Sequence, residues 1–259
     1  MTLPNPHTAL DRLAAAESLL VCLDFDGTIC ELNPDAYAVV PAPHAITALK
    51  TLAGLKRTDV AILSGRHLDG LRKVCPLGPP VTLVGSHGAE PASGGPTLSA
   101  EDRAYLDHIQ AELEGLIRDA DASPAFVETK PYQRVLHVAA LAETDPDTAA
   151  ALLEQALALP RHGRSVTPGN NVVEFSATDI TKGAWLAAEK TRYATTLFAG
   201  DDVTDETALG VLDSSSTDIG IKVRPTDSTS ETAANYQLSS VESIATFLTE
   251  LAAARQAAQ

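Results

Sequence analysis

Short apolar runs recur along this chain, and helical segments separate them. Residues 18–23 (SLLVCL), 59–63 (DVAIL), 81–84 (VTLV), 195–200 (TTLFAG) and 219–223 (IGIKV) have the length of strands. Between them, apolar residues fall at helical spacing, as with Ile46, Leu49 and Leu52 inside 44–55. Continuous rather than alternating apolar runs suit strands buried on both faces. Strands that alternate with helices build a parallel sheet with helices packed on it. The expected fold class is therefore α/β, with a Rossmann-like parallel sheet.

The rhythm breaks in the middle of the chain. Residues 91–99 (PASGGPTLS) read as a linker rich in Pro, Gly and Ser. A helix is expected over 100–119, where Leu106, Ile109, Leu113 and Leu116 share a face. Strand-like runs follow at 125–129 and 134–140, then a helix over 147–158. A further strand pair, 165–167 and 172–175, closes around the turn residues 168–171. Helix, two strands, helix, two strands describes an α+β insert. The α/β pattern then resumes. Thr181 can cap a helix carrying Trp185 and Leu186, another helix is expected over 204–212, and a last one starts near Ser240. The expected division is a core of residues 1–97 and 177–259 and an insert of 98–176. Two crossings between them suit a hinged lid.

Charge narrows the partners. The chain carries 19 Lys+Arg against 34 Asp+Glu, a formal net charge of −15. Such a surface repels phosphate backbones and anionic lipid, which argues against nucleic acid and against a membrane. No apolar run approaches the roughly 18 residues of a membrane span. Cys22, Cys30 and Cys75 are odd in number and lack a C-x-x-C spacing. They read as reduced thiols in the cytoplasm. The expected partner is a small molecule.

Chemistry clusters where the strands end. Ligands of open α/β sheets bind beyond the carboxyl ends of the strands. The first run ends in Asp24-Phe25-Asp26-Gly27-Thr28, two acids aimed at one crevice. The second ends in Ser64-Gly65-Arg66, a hydroxyl, an open backbone amide and a guanidinium that suit phosphate oxygens. Lys182, at an expected helix start, is a point charge for an anion. Gly200-Asp201-Asp202-Val203-Thr204-Asp205-Glu206 crowds four acids, and a divalent cation with oxygen ligands such as Mg²⁺ would hold some of them together. Each motif has a plainer reading: a polar loop, a surface Arg, a solvated Lys, or Asp202 as a helix cap. Their joint order favours chemistry.

These motifs resemble those of the haloacid dehalogenase superfamily of aspartate-nucleophile phosphotransferases, in the subgroup whose cap lies between the second motif and the Lys. Within it, Gly85-Ser86-His87-Gly88-Ala89-Glu90 resembles the G-x-H-G-x-E of the trehalose-6-phosphate phosphatases. Glu128-Thr129-Lys130 with His137 resembles that family's E-x-K-x6-H-x-R, except that Ala139 stands where the pattern has Arg; Arg134 is a candidate for the missing contact. Val172-Val173-Glu174 fits as well. The resemblance implies a Mg²⁺-dependent sugar-phosphate phosphatase with an inserted cap. It implies Asp24 as nucleophile, Asp26 as general acid and base, and Ser64 and Lys182 as catalytic partners. Asp24, Asp26 (through its carbonyl), Asp201 and Asp202 would hold the metal, with Asp205 behind them. Thr28, Ser64, Gly65, Arg66 and Lys182 would hold phosphate. His87, Glu128, Lys130, His137 and Glu174 would hold the sugar. Rival readings are a sucrose-phosphate or mannosyl-phosphoglycerate phosphatase and a phosphosugar mutase. For the cap residues and Glu90, solvated pairs and loop bracing remain the plainer alternative.

Overall fold

The computed structural model describes residues 3–33, 35–213, 217–228 and 230–259. The first stretch contains α1 (Leu10–Ala14), β1 (Leu19–Leu23), α2 (Pro43–Ala53), β2 (Thr58–Leu63), α3 (Leu68–Val74), β3 (Thr82–Gly85) and β4 (Glu90–Pro91). Next come α4 (Ala100–Asp119), β5 (Phe126–Thr129), β6 (Gln133–His137), α5 (Ala139–Ala142), α6 (Pro146–Leu157), β7 (Val166–Gly169) and β8 (Val172–Ser176). The chain finishes with α7 (Lys182–Glu189), β9 (Thr195–Gly200), α8 (Glu206–Leu209), β10 (Ile219–Val223), β11 (Tyr236–Leu238) and α9 (Val241–Ala257). It divides into two compact units, Met1–Gly95 with Ile180–Gln259, and Pro96–Asp179.

The first unit is built on a seven-stranded sheet of order β11-β10-β9-β1-β2-β3-β4. All its pairings are parallel except β3 with β4. Every residue of β1, β9 and β10 is buried, which is why their sequences are continuous apolar runs. Alternation splits β1 between two layers. Leu19, Val21 and Leu23 pack with Leu49 of α2 and Leu248 of α9, while Leu20 and Cys22 pack with Leu186 of α7 and Leu209 of α8. The chain leaves central β1 for β2 on one side and returns at β9 on the other. Ligands of open α/β sheets bind at such a reversal, beyond the carboxyl ends of the strands, where the motifs lie here.

The second unit is a four-stranded antiparallel sheet of order β5-β6-β8-β7. Helices α4 and α6 bury Leu106, Ile109, Leu113 and Leu152 against Leu136, Val173 and Phe175. Several boundaries differ from the sequence expectation. The strand expected over 134–140 stops at His137, and Ala139 opens α5. The helix expected over 204–212 is only a 3-10 turn, Val203–Asp205, followed by four-residue α8, which Gly210 ends. The expected turn at 168–171 narrows to Asn170 and Asn171, with Asn171 at φ 57°. Pro168 stays in β7, an edge strand, where its missing N–H costs nothing. Strands β4 and β11 are too short to leave a periodic signal, and β4 takes in Pro91 of the expected linker.

Candidate active site

Asp24 directly follows β1, and its N–H donates to the Ala199 carbonyl of β9 at 2.9 Å. This bond carries the parallel register one residue past the strand and fixes where the side chain starts. Gly27 has φ +76°, and a Cβ there would lie 2.1 Å from Oδ2 of Asp201. Only glycine tolerates both the left-handed backbone and that carboxylate. Thr28 is fully buried and donates its hydroxyl to Asp201 Oδ1 at 3.5 Å. Thr181 caps α7 and so sets Lys182 at the helix start. Lys182 is 2% exposed, and its Nζ donates to Asp24 Oδ1 at 2.6 Å and to Asp205 Oδ1 at 2.7 Å. Carboxylate oxygens of Asp24, Asp201 and Asp205 all lie within 4.8 Å of one another.

Burial dominates the electrostatics here. It raises Asp24 well above the usual carboxylate range; Lys182 opposes the rise, and Asp205 and Asp201 add to it. Asp201 is pushed up to about 6 by burial, then by the charges of Asp205 and Asp202. Burial alone would favour neutral Lys182, but Asp205 and Asp24 more than offset it and hold the ammonium firmly charged. Asp24 and Asp205 are buried and Asp201 is half-buried, and the three acids outnumber the one ammonium among them. Oxygen ligands with unbalanced charge fit a divalent cation.

The acids divide differently from the expectation. Asp205, expected behind the metal ligands, belongs to the buried group, while Asp202 is exposed. A reciprocal cap on the 3-10 turn explains the exchange. Asp202 Oδ1 accepts from the Val203 N–H at 2.7 Å, and Asp205 Oδ2 accepts from the Asp202 N–H at 2.9 Å. The turn thus faces Asp205 inward. The carboxylate of Asp26 lies outside the group as well. Arg66 grips it with two parallel bonds, Nε to Oδ2 at 2.7 Å and Nη2 to Oδ1 at 2.6 Å, and a third goes from Nη1 to the Ala36 carbonyl. Arg66, expected on phosphate, therefore has its fork on Asp26, the geometry in which guanidinium and carboxylate bind best.

Ser64 is fully buried, and its Oγ accepts from the Arg66 N–H at 3.1 Å. The ring of His87 fills the space beside Gly65, where a Cβ would come 2.5 Å from Cε1. Ser86 and His87 both adopt left-handed φ, 48° and 54°. That strained turn is held by bonds from Ser86 N–H to the Arg66 carbonyl and from His87 N–H to the Ser64 carbonyl. Glu90 braces it by accepting from Ser86 Oγ at 2.5 Å and Leu68 N–H at 3.1 Å. Lys222 escaped the sequence reading. It is 5% exposed and donates to the Asp202 carbonyl at 2.8 Å, and Glu206 pairs with it. Its signal was a lone charge inside the apolar run IGIKV.

The second unit gathers the remaining candidates on one sheet face. Alternation along β5 puts Phe126 and Glu128 on that face, and Lys130 continues it. Glu128 and Glu174 both lie opposite Val135, from β5 and β8. His137 Nε2 is 2.9 Å from Glu128 Oε2, and Lys130 Nζ is 3.0 Å from Glu174 Oε2. Arg134 is on the other, helix-covered face. Its Nη1 donates to the Lys130 and Gln133 carbonyls, and its Nη2 is 3.8 Å from Asp107 of α4. A one-residue step along a strand reverses the face, so Arg134 does not stand in for the arginine absent at Ala139.

The sequence profile of the trehalose-phosphatase family matches residues 22–242, which span every residue of the buried acid group and of the sheet face. The chain belongs to the trehalose-phosphatase family. A trehalose-phosphate phosphatase of Mycobacterium tuberculosis is 31% identical over 263 aligned residues, covering 94% of this chain and 65% of the relative. A bifunctional trehalose-6-phosphate synthase/phosphatase of Thermoproteus tenax is 30% identical over 223 residues, covering 82% of this chain and 30% of that protein. The chain thus spans under two thirds of these relatives' lengths. The solved C-terminal domain of Candida albicans trehalose-6-phosphate phosphatase shares the fold, with a TM-score of 0.79, 98% of each chain covered and 18% identity. Among the described residues, no helix is long and apolar enough to cross a membrane.

Proposed function

We propose that this protein is a Mg²⁺-dependent phosphomonoesterase that hydrolyses trehalose 6-phosphate to trehalose and phosphate. The observation that carries the reading is the buried group at the end of β1, in which Lys182 joins Asp24 to Asp205 beside Asp201. The chemistry is phosphoryl transfer. The Asp24 carboxylate attacks phosphorus in line as the bond to the sugar oxygen breaks, giving an aspartyl-phosphate. Asp26 gives the leaving oxygen its proton, then takes one from the water that attacks phosphorus and frees phosphate. Arg66 orients Asp26 between these steps. Lys182, Ser64, Thr28 and the Gly65 amide hold phosphoryl oxygens, and Lys182 also opposes the rise that burial imposes on Asp24. Asp24, Asp201 and Asp205 are the side chains that would hold Mg²⁺, with the Asp26 carbonyl alongside and Asp202 outside. The ion supplies positive charge against the transferring group.

In this reading residues 96–179 act as the cap. Glu128, Lys130 and Glu174 bind sugar hydroxyls, His137 orients Glu128, and His87 lies beside the phosphate loop at Gly65. Family membership and the relatives' names support trehalose 6-phosphate over the sucrose-phosphate and mannosyl-phosphoglycerate readings. The buried, unpaired thiols Cys22, Cys30 and Cys75 suit a reducing cytoplasm.

The test is phosphate release across a panel of disaccharide and monosaccharide phosphates, with and without Mg²⁺. Trehalose 6-phosphate should give the highest kcat/KM, without a bisphosphate activator, and chelation should abolish turnover. Preference for another sugar phosphate would overturn the substrate, and dependence on a bisphosphate would point to a mutase. Asp24→Asn should abolish release; turnover at the wild-type rate would overturn the nucleophile.

A further inference from the structure

Phe126 is 55% exposed, unusual for a large aromatic side chain in a strand. It pairs directly with His137 across β5 and β6. The two rings lie parallel, with centroids 4.7 Å apart and planes 6° from each other. Stacking covers one face of Phe126 and leaves the other to solvent. His137 is itself held by Glu128 at 2.9 Å, so the pair is braced rather than loose. Strand alternation puts Glu128 and Lys130 on the same face, and Glu174 joins them from β8. An open aromatic surface is thus bordered by two carboxylates and an ammonium. Sites for small molecules are built this way, with apolar walls and a few placed polar groups. A pyranose ring has the matching chemistry, an apolar C–H face with hydroxyls around its rim.

We propose that Phe126, backed by His137, is a platform on which a sugar ring of the substrate stacks while Glu128, Lys130 and Glu174 take its hydroxyls. This rests on the sugar-phosphate reading and adds a specificity residue outside the motifs. Because His137 holds the ring in place, little side-chain freedom is lost on binding.

Phe126→Ala and Phe126→Trp test the proposal, with trehalose 6-phosphate and p-nitrophenyl phosphate as substrates and Mg²⁺ saturating. Phe126→Ala should raise KM for the sugar phosphate about tenfold, with kcat almost unchanged and no effect on the aryl phosphate. Phe126→Trp keeps an aromatic face and should restore KM to within about twofold. Because the side chain is exposed, both variants should melt near the wild-type temperature. An unchanged KM for Phe126→Ala, or equal changes with both substrates, overturns the platform while leaving the phosphatase intact. Phe126→Ala that loses only self-association, with unchanged kinetics, assigns the surface to a second copy and likewise overturns it. Wild-type protein with no preference for the sugar phosphate overturns the sugar reading, and the platform with it.

Discussion

In the α/β unit, Lys182 is almost wholly buried and meets two carboxylates, with a third beside them. In the inserted unit Lys130 pairs with Glu174, and His137 is hydrogen-bonded to Glu128. The exposures differ as well. The side chains of Lys182, Asp24 and Asp205 are at most 6% exposed, whereas those of His137 and Glu128 are about 30% exposed. Charge left in excess in a dry site is costly unless a cation joins it. Such a group of oxygen ligands fits a divalent cation. The hydrogen-bonded side chains of the inserted unit, wetter at His137 and Glu128, offer donors and acceptors that suit a molecule recognised by its hydroxyls. The same residue types thus meet different surroundings in the two units.

The comparison breaks most sharply at Lys182. Lys182→Met should lower kcat about a thousandfold for trehalose 6-phosphate and for p-nitrophenyl phosphate alike, because the loss is at phosphorus. Steady-state kinetics with Mg²⁺ saturating, beside a thermal melt to verify folding, measures it. A variant that keeps more than a tenth of wild-type kcat would make the lysine a structural partner only. At the other unit, Lys130→Ala should raise KM for the sugar phosphate about tenfold and leave the aryl phosphate unaffected. Equal effects on both substrates would erase the division of labour between the units.

A smaller effect links metal to pH. Asp201 is raised to about 6 in the folded protein, above its unfolded value. The ionised folded form is therefore penalised above that pH, and the penalty fades as pH falls toward the unfolded pKa. A cation favours the ionised form and must displace the proton at lower pH. Mg²⁺ should therefore raise Tm by a few degrees more at about pH 7.5 than at about pH 5. Calorimetry with and without the ion reads it; an equal rise at both pH values would place the cation elsewhere.

Much of this was legible in the residues. Continuous apolar runs announced the buried parallel strands, and acids after β1 and β9 come together at the ends of those strands. The carboxylate partners were less legible. Asp202 and Asp205 are three apart, and only the cap on a 3-10 turn decides which one faces inward. Arg66 sits two residues after Ser64, as a phosphate ligand would, but its fork met Asp26, 40 positions earlier. Phe126 lies two residues before a recognised motif, and its exposure followed only from the strand's partner.

The sequence by itself determined the fold class and the course of the main strands and helices, because periodicity and turn chemistry are local; β4, α5 and β11 left no such signal. The tertiary structure decided the pairings. Lys182 and Asp24 are 158 positions apart and meet only because the sheet's parallel register aligns the ends of β1 and β9 while α7 delivers the lysine there. Charges acquire their balance from neighbours brought together by the fold, and no stretch of chain encodes that balance alone.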